Sequence, residues 1–173
     1  MVSFLEPEKI MNQIPLEDYF LVADFGSGSG GFTIPIASRV PRGLVYAFDI
    51  QEDSLSALKG DASLSGLSNI KVAKCNLEEP NSTGIPDGSL DLVMIANTLF
   101  QMDHDEAVMK EAARIIKPGG KVIVIDWKTY VPFGPDNKRI SLEEVRSIAR
   151  RIDLKLFQEI DAGTYHWGAI FVK

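Results

Sequence analysis

A carboxylate set just before a run of glycines is the part of this sequence with the clearest chemistry. In Val22-Ala23-Asp24-Phe25-Gly26-Ser27-Gly28-Ser29-Gly30-Gly31 an apolar strand runs into a glycine-rich turn and then a helix beginning near Gly31-Phe32. Glycine accepts φ > 0 and lets a ligand approach the backbone with no Cβ in the way. A turn between strand and helix opens at the carboxyl end of a parallel sheet, where α/β folds hold their ligands. Gly26, Gly28 and Gly31 also satisfy Gly-x-Gly-x-x-Gly, the dinucleotide fingerprint. Asp24 counts against that alternative, because a pyrophosphate on a helix N-terminus wants positive potential around it. A cationic ligand suits it better.

Few other side chains offer chemistry. His166, flanked by Tyr165 and Trp167, is the candidate general base; a packed structural histidine is the alternative. His104 falls in Gln101-Met102-Asp103-His104-Asp105, a loop leading into a helix. Asp126 and Asn97 make an incomplete ligand set for a divalent cation, and a lone cysteine excludes a disulfide framework or a cysteine-rich metal site. No metal is therefore expected, and Cys75 reads as a small buried hydrophobe within an apolar strand. The stretch from Trp127 to Ile140 is too long for a simple connection and rich in aromatic residues. It reads equally as a substrate wall, with Trp127, Tyr130 and Phe133 as contacts, or as a loop folded back on the core.

The elements that must position these residues alternate along the chain. Strands are expected near Leu21–Phe25, Leu44–Asp49, Ile70–Lys74, 90–95 and 121–127, each apolar enough to be buried on both faces of a parallel sheet. Helices are expected near 32–39, 53–63 and 105–116, after a short first helix that Pro7 opens and Pro15 stops. Lys117-Pro118-Gly119-Gly120 reads as the turn from helix into the fifth strand. Ser141 and Glu144 have the spacing of a capping box, opening another helix. Two last strands, 154–160 and 165–172, are joined so tightly by Asp161-Ala162-Gly163-Thr164 that they form an antiparallel hairpin. A nucleotide-dehydrogenase sheet would instead continue in parallel and require a substrate domain.

Length and composition bound the rest. The 173 residues make one domain, 1–173, with residues 1–20 as an N-terminal helix and partial lid. With 45% hydrophobic and 24% charged residues the chain has the composition of a globular protein. It lacks a membrane span and a signal peptide, so a cytoplasmic location is expected. A net charge of −6 lacks the basic footprint of a nucleic-acid binder. Lys138, Arg139, Arg146, Arg150 and Arg151 read as a loop and the wet face of a helix.

Asp-x-Gly-x-Gly-x-Gly at 24–30 resembles the first motif of class I S-adenosylmethionine (SAM) dependent methyltransferases, and from about Asp24 onward the chain is similar to a small member of that family. Its style is that of the ubiquinone/menaquinone-biosynthesis group. The resemblance implies a Rossmann-like, doubly wound α/β sheet of seven strands, mostly parallel with an antiparallel C-terminal strand and helices on both faces. It also implies SAM as cofactor and S-adenosylhomocysteine (SAH) as product. Asp24, Gly26, Ser27, Gly28 and Gly30 would then form the cofactor turn. Asp49 would take both ribose hydroxyls, a task for which a carboxylate has two oxygens. Ile50 would flank the adenine, and Asn76 and Leu77 would read its edge. The family usually has aspartate at Asn76, and asparagine keeps one acceptor oxygen. Backbone at Ala96 and Asn97 would face the SAM amino group. Asn97 is not followed by Pro-Pro-Tyr or Pro-Pro-Phe, so the signature of nucleobase and glutamine methylation is absent.

Sulfonium methyl transfer mainly needs alignment, with a base only if the acceptor is protonated. The expected acceptor is a small planar or apolar molecule rather than nucleic acid. Methylation of protein or RNA, a non-catalytic SAM-binding module and an NAD-binding oxidoreductase are the alternatives. The pocket is open, covered by the first helix, or completed by the second subunit of a homodimer.

Overall fold

The strands and helices follow from where apolar side chains repeat with period two or cluster on one helix face. The computed structural model describes residues 5–136 and 138–173. In chain order the elements are α1 (Pro7–Met11), β1 (Leu21–Phe25), α2 (Thr33–Arg39), β2 (Leu44–Asp49), α3 (Glu52–Leu64), β3 (Ile70–Lys74) and β4 (Leu90–Ala96). A 3₁₀ turn (Leu99–Gln101) leads to α4 (Asp105–Ile115), followed by β5 (Ile116–Trp127), α5 (Leu142–Arg151), β6 (Lys155–Ile160) and β7 (His166–Val172). The strands form one sheet in the order β3-β2-β1-β4-β5-β7-β6. Strands β1 to β5 are parallel, and β7 runs antiparallel to both β5 and β6. The Rossmann-like seven-stranded sheet is therefore present. Its order reverses between β1 and β4, which leaves a crevice above their carboxyl ends.

Alternation along the central strands divides the core in two. Ala23, Phe25, Val93, Ile95, Val122 and Val124 face α4 and α5, meeting Val108, Met109, Val145 and Ile148. Val22, Leu92, Met94, Ile123 and Ile125 face the other way, against Ile10 and Met11 of α1, Ile14 just after it, and Ile36 of α2. Each buried Val, Leu, Ile, Met or Phe among them is worth roughly 1.5–3 kcal/mol relative to exposure, so the strand ends that carry the site rest on a stiff floor. Among the described residues no helix is long and apolar enough to cross a membrane.

Three expectations need correction. Burial on both faces holds for β1, β4 and β5, whereas β3 and β6 are edge strands with most side chains exposed. Cys75 lies just past β3 rather than within it, buried beside the crevice. Lys117-Pro118-Gly119-Gly120 is not a turn before the fifth strand but a bulge inside it. Ile116 already pairs with Leu90, and the register resumes at Leu92 with Lys121. Pro118 has no N–H to offer the ladder, and Gly119 takes a φ of +78° that pushes the backbone out of it. The capping box is present as read: Ser141 Oγ accepts the N–H of Glu144, whose carboxylate accepts the N–H of Ser141.

Candidate functional site

The glycines after β1 do different work. Gly26 and Ser27 both donate their N–H to Phe48 O, at 2.8 and 3.0 Å, which ties the turn to the end of β2. A Cβ on Gly26 would run into the Thr98 side chain, whose Oγ1 lies 3.0 Å from the carbonyl oxygens of Phe25 and Ala96. Gly26 thus permits close packing of two strand ends. Gly28 has a φ of +51° and nothing within 4 Å of where its Cβ would stand. Its side faces open space.

That space is a cavity of about 420 Å³. Gly26 and Gly28 form its base, and Asp49 and Ile50 at the end of β2 form one wall. Opposite stand Cys75, Asn76 and Leu77 after β3, with Ala96, Asn97 and Thr98 closing the β4 side. A second cavity of about 260 Å³ lies across the glycine turn and shares Gly26, Gly28, Ala96 and Asn97 with the first. Leu5, Pro7 and Phe32 give it an apolar rim, with Asp24, Ser27 and Ser29 beneath. Gly30 is outside both linings; its φ of +103° and missing Cβ let the turn seat on Leu58 of α3.

The electrostatics are those of a receptor for hydrogen-bond donors. Asp49 Oδ2 accepts the Gly28 N–H at 2.8 Å and Oδ1 accepts the Gln51 N–H at 2.9 Å, which fixes the carboxylate at the cavity edge with lone pairs to spare. Asp24 is 2% exposed, and burial pushes its carboxyl up to about 6, the Thr33 hydrogen bond pulling back and the Asp49 charge adding to the rise. Thr33 Oγ1 donates to its Oδ2 at 2.5 Å. Asn97 adopts a left-handed φ of +52°, and its Oδ1, like Ser27 Oγ, is buried without a partner among the described residues. Buried acceptors are rarely left so unless a ligand or water completes them. No lysine or arginine is among the described residues lining either cavity. A ribose diol, an adenine amino group and a cationic amino-acid tail fit this set; a pyrophosphate does not.

Asn76 is already engaged. Its Oδ1 accepts the Glu78 N–H at 3.2 Å and its Nδ2 donates to Glu79 Oε1 at 3.1 Å. Restoring the family's aspartate would therefore set two carboxylates face to face. Asn76→Asp is expected to weaken SAM binding by about 1 kcal/mol, the scale of one close like-charge contact near a surface, and Asn76→Asp with Glu79→Gln to recover it. Calorimetric titration of the two variants checks this; equal affinities would show that Glu79 is not the obstacle.

Sequence reasoning missed Thr98, Thr33, Gln101 and Met102. Their places depend on how β4 and the 3₁₀ turn fold against β1, which no local spacing reports. Asp126 is what holds that 3₁₀ turn. It is 1% exposed, and its carboxylate accepts the N–H groups of Phe100 at 3.2 Å and Trp127 at 2.8 Å. Burial outweighs those bonds and pushes its carboxyl up to about 7. Asp24 and Asp126 both hold a proton more tightly folded than unfolded, where the value is 3.8. Their contribution to stability is full below the unfolded value and is lost as pH rises through about 6 to 7. Thermal unfolding of the ligand-free protein is thus expected to occur at lower temperature at about pH 8 than at about pH 5. Asp126→Asn should flatten that slope while lowering the midpoint throughout, one amide having lost its acceptor. A slope unchanged in Asp126→Asn would assign it to other groups.

The residues expected to meet an acceptor are scattered. Tyr130 is 98% exposed and lines neither cavity. Phe133 is half exposed and packs edge-on against Tyr165, ring centroids 5.3 Å apart. Trp127 lies under Gly134, where a Cβ would strike the indole, and packs at a tilt against His166 with centroids 4.1 Å apart. The loop is folded back on the sheet edge, its course fixed by Arg139, which donates to the carbonyl oxygens of Lys128, Val131, Phe133 and Pro135. His166 stands opposite Trp127 across β5 and β7, as the strand order implied, but is buried and lines neither cavity. His104 caps α4, its N–H donating to Glu78 Oε1 at 2.6 Å. Arg146 and Arg150 face Glu143, and Arg151 faces Glu106, so the arginines do form a paired helix surface.

A family described as methyltransferase domain matches residues 22–120. The ubiquinone/menaquinone biosynthesis C-methyltransferase UbiE of Cupriavidus taiwanensis is 35% identical over 114 residues, covering 65% of this chain and 45% of that protein. The chain thus spans about half the length of the curated relatives it matches. A SAM-dependent methyltransferase from Aquifex aeolicus superposes with a TM-score of 0.87 at 25% identity, over 98% of this chain and 91% of that one. Magnesium protoporphyrin IX methyltransferase from Synechocystis PCC 6803, with SAH bound, superposes with a TM-score of 0.73 at 18% identity, over 90% and 74%. These matches turn an acceptor-lined crevice that suits SAM better than a dinucleotide into a family assignment: the chain belongs to the class I SAM-dependent methyltransferases.

Proposed function

We propose that this protein methylates a carbon of a small hydroxylated aromatic acceptor. The observation that carries the reading is the pair of cavities meeting over Gly26 and Gly28, one lined by hydrogen-bond acceptors and the other rimmed by Leu5, Pro7 and Phe32. In this reading Asp49 holds the ribose hydroxyls, Ile50 flanks the adenine, and Asn76 with the backbone of Leu77 reads its edge. Asp24, Ser27 and the free Oδ1 of Asn97 face the ammonium end. Bound SAM supplies an electrophilic sulfonium methyl. The protein's part is to hold the acceptor in line with it and to keep water out. Quinone-pathway C-methylation by the UbiE relative supports a carbon acceptor, and the net charge of −6 argues against a nucleic-acid one. Leu5 and Pro7 wall the smaller cavity, which supports a partial lid supplied by the N-terminal segment.

The test is calorimetric titration with SAM and NAD, followed by methyl transfer from labelled SAM to naphthalene-1,4-diol under argon. Transfer to cell extract, separated into metabolite, protein and RNA fractions at low and moderate salt, completes it. SAM is expected to bind orders of magnitude more tightly than NAD, with label in the diol and in the metabolite fraction at both salt concentrations. Label chiefly in RNA or protein, falling steeply with salt, would overturn the small-acceptor reading.

A further inference from the structure

His166 is the one histidine of two that the fold buries, and its ring packs on Trp127 with its polar atoms unused. It is 2% exposed, and neither Nδ1 nor Nε2 has a hydrogen-bond partner among the described residues. A buried imidazole with both nitrogens unmatched costs free energy that an apolar ring of similar size would not. Most buried polar side-chain atoms have a partner, so a doubly orphaned ring points to one supplied from outside the chain. Its position says which. Alternation along β7 puts His166 on the same face as Ile170, the face that also carries Met94, Ile125 and the partly buried Ala96. Across that face at the carboxyl ends of the strands, Asp24 and Ala96 belong to the smaller cavity, β5 comes next, and His166 lies beyond it. On the side of the smaller cavity its neighbour is Trp127, paired with it directly across β5 and β7. Its indole lies against His166 at 4.1 Å and is itself half-buried, held from above by the backbone at Gly134.

We infer that the His166 imidazole is a hydrogen-bonding site for the oxygen of the methyl acceptor, reached when the Trp127 indole swings off it. The inference rests on the proposed acceptor class and adds a named contact to it. A neutral imidazole has one N–H donor and one acceptor nitrogen, which is the complement of a hydroxyl. Burial, with the Lys128 charge adding to it, pushes His166 down to about 4, so the ring stays neutral at physiological pH. So weak a base is suited to orienting a hydroxyl rather than to removing its proton. His166 therefore acts on binding and alignment, and its loss should fall on KM more than on kcat.

Two readings on the whole chain test this. The first is stability. His166→Phe or His166→Leu, whichever packs better, is expected to unfold at the wild-type temperature or above it, because the folded chain makes no hydrogen bond there to lose. A marked fall in both variants would show that the ring is engaged by the fold itself and would overturn the inference. The second is the acceptor. With SAM affinity within two-fold of wild type, the better-folded variant is expected to raise the KM for naphthalene-1,4-diol by about ten-fold or more, the scale of one lost hydrogen bond, and to leave kcat within about three-fold. Wild-type kinetics in the variant would overturn it.

A wild-type protein that binds SAM but leaves the diol unmethylated would instead fault the acceptor assignment. In that case the ring is read directly. The chain has two histidines, so ¹⁵N-histidine labelling gives a simple spectrum. Phenol titrated into the SAH complex is expected to shift the His166 ring nitrogens and not those of exposed His104. Unmoved His166 nitrogens would overturn the inference.

Discussion

Gly28→Val is expected to abolish SAM and SAH binding while leaving the protein folded. With nothing within 4 Å of the missing Cβ, the valine side chain has no neighbour to strike and fills space where the two cavities meet. There its two methyl groups occupy the room that the cofactor needs against the turn. The φ of +51° adds strain of about 1–2 kcal/mol for a residue with a Cβ, enough to lower the melting temperature by several degrees. Affinity should fall at least about 100-fold, or ~2.7 kcal/mol. Gly26→Ala makes the contrast: its methyl would meet Thr98 at the packed ends of β1 and β4, so its effect falls on stability first. Calorimetric titration with SAH, alongside circular dichroism, separates the two. A folded Gly28→Val protein that saturates normally would remove the glycine turn from the cofactor site.

The turn was readable because its chemistry is local. Asp24 and the glycines sit within one strand-to-helix connection, and Asp49 ends the neighbouring strand, so strand order alone brings them together. The hairpin of β6 and β7 was readable for the same reason, its connection being too short for any other pairing. What sequence could not report depends on which surface meets which. β3 and β6 mix apolar with charged or polar residues, and the strand order leaves each at an edge, where most of their side chains meet water. The aromatic loop after β5 offers Tyr130 and Phe133 to a substrate on paper. Arg139 spends its guanidinium on the loop's own carbonyl groups and folds it away, leaving Tyr130 in solvent. Asn76 looked like a weakened aspartate. Its amide is instead matched to Glu79, a pairing visible only once the turn after β3 is closed.

Asp49→Ala should cost SAM about 1.5–3 kcal/mol, the range for hydrogen bonds to a charged group, which is roughly a 10- to 150-fold loss of affinity. Two effects combine in that figure. The ribose hydroxyls lose an ionised acceptor, and the Gly28 and Gln51 N–H groups, now bonded at 2.8 and 2.9 Å, lose the partner that holds the glycine turn in shape. The fold itself should survive, because both amides stand at the cavity edge, where water can replace the carboxylate. Asp49→Asn keeps one acceptor oxygen and should fall between alanine and wild type. Comparing two ligands isolates the cause. 5′-Methylthioadenosine carries the ribose of SAM but neither its sulfonium nor its ammonium, so Asp49→Ala should weaken both ligands alike. Asp24→Ala should weaken SAM and leave methylthioadenosine nearly unchanged if, as proposed, the buried carboxylate faces the cationic end. An Asp49→Ala protein that binds methylthioadenosine as tightly as wild type would take the ribose away from Asp49. It would also move the proposed nucleoside site off the end of β2.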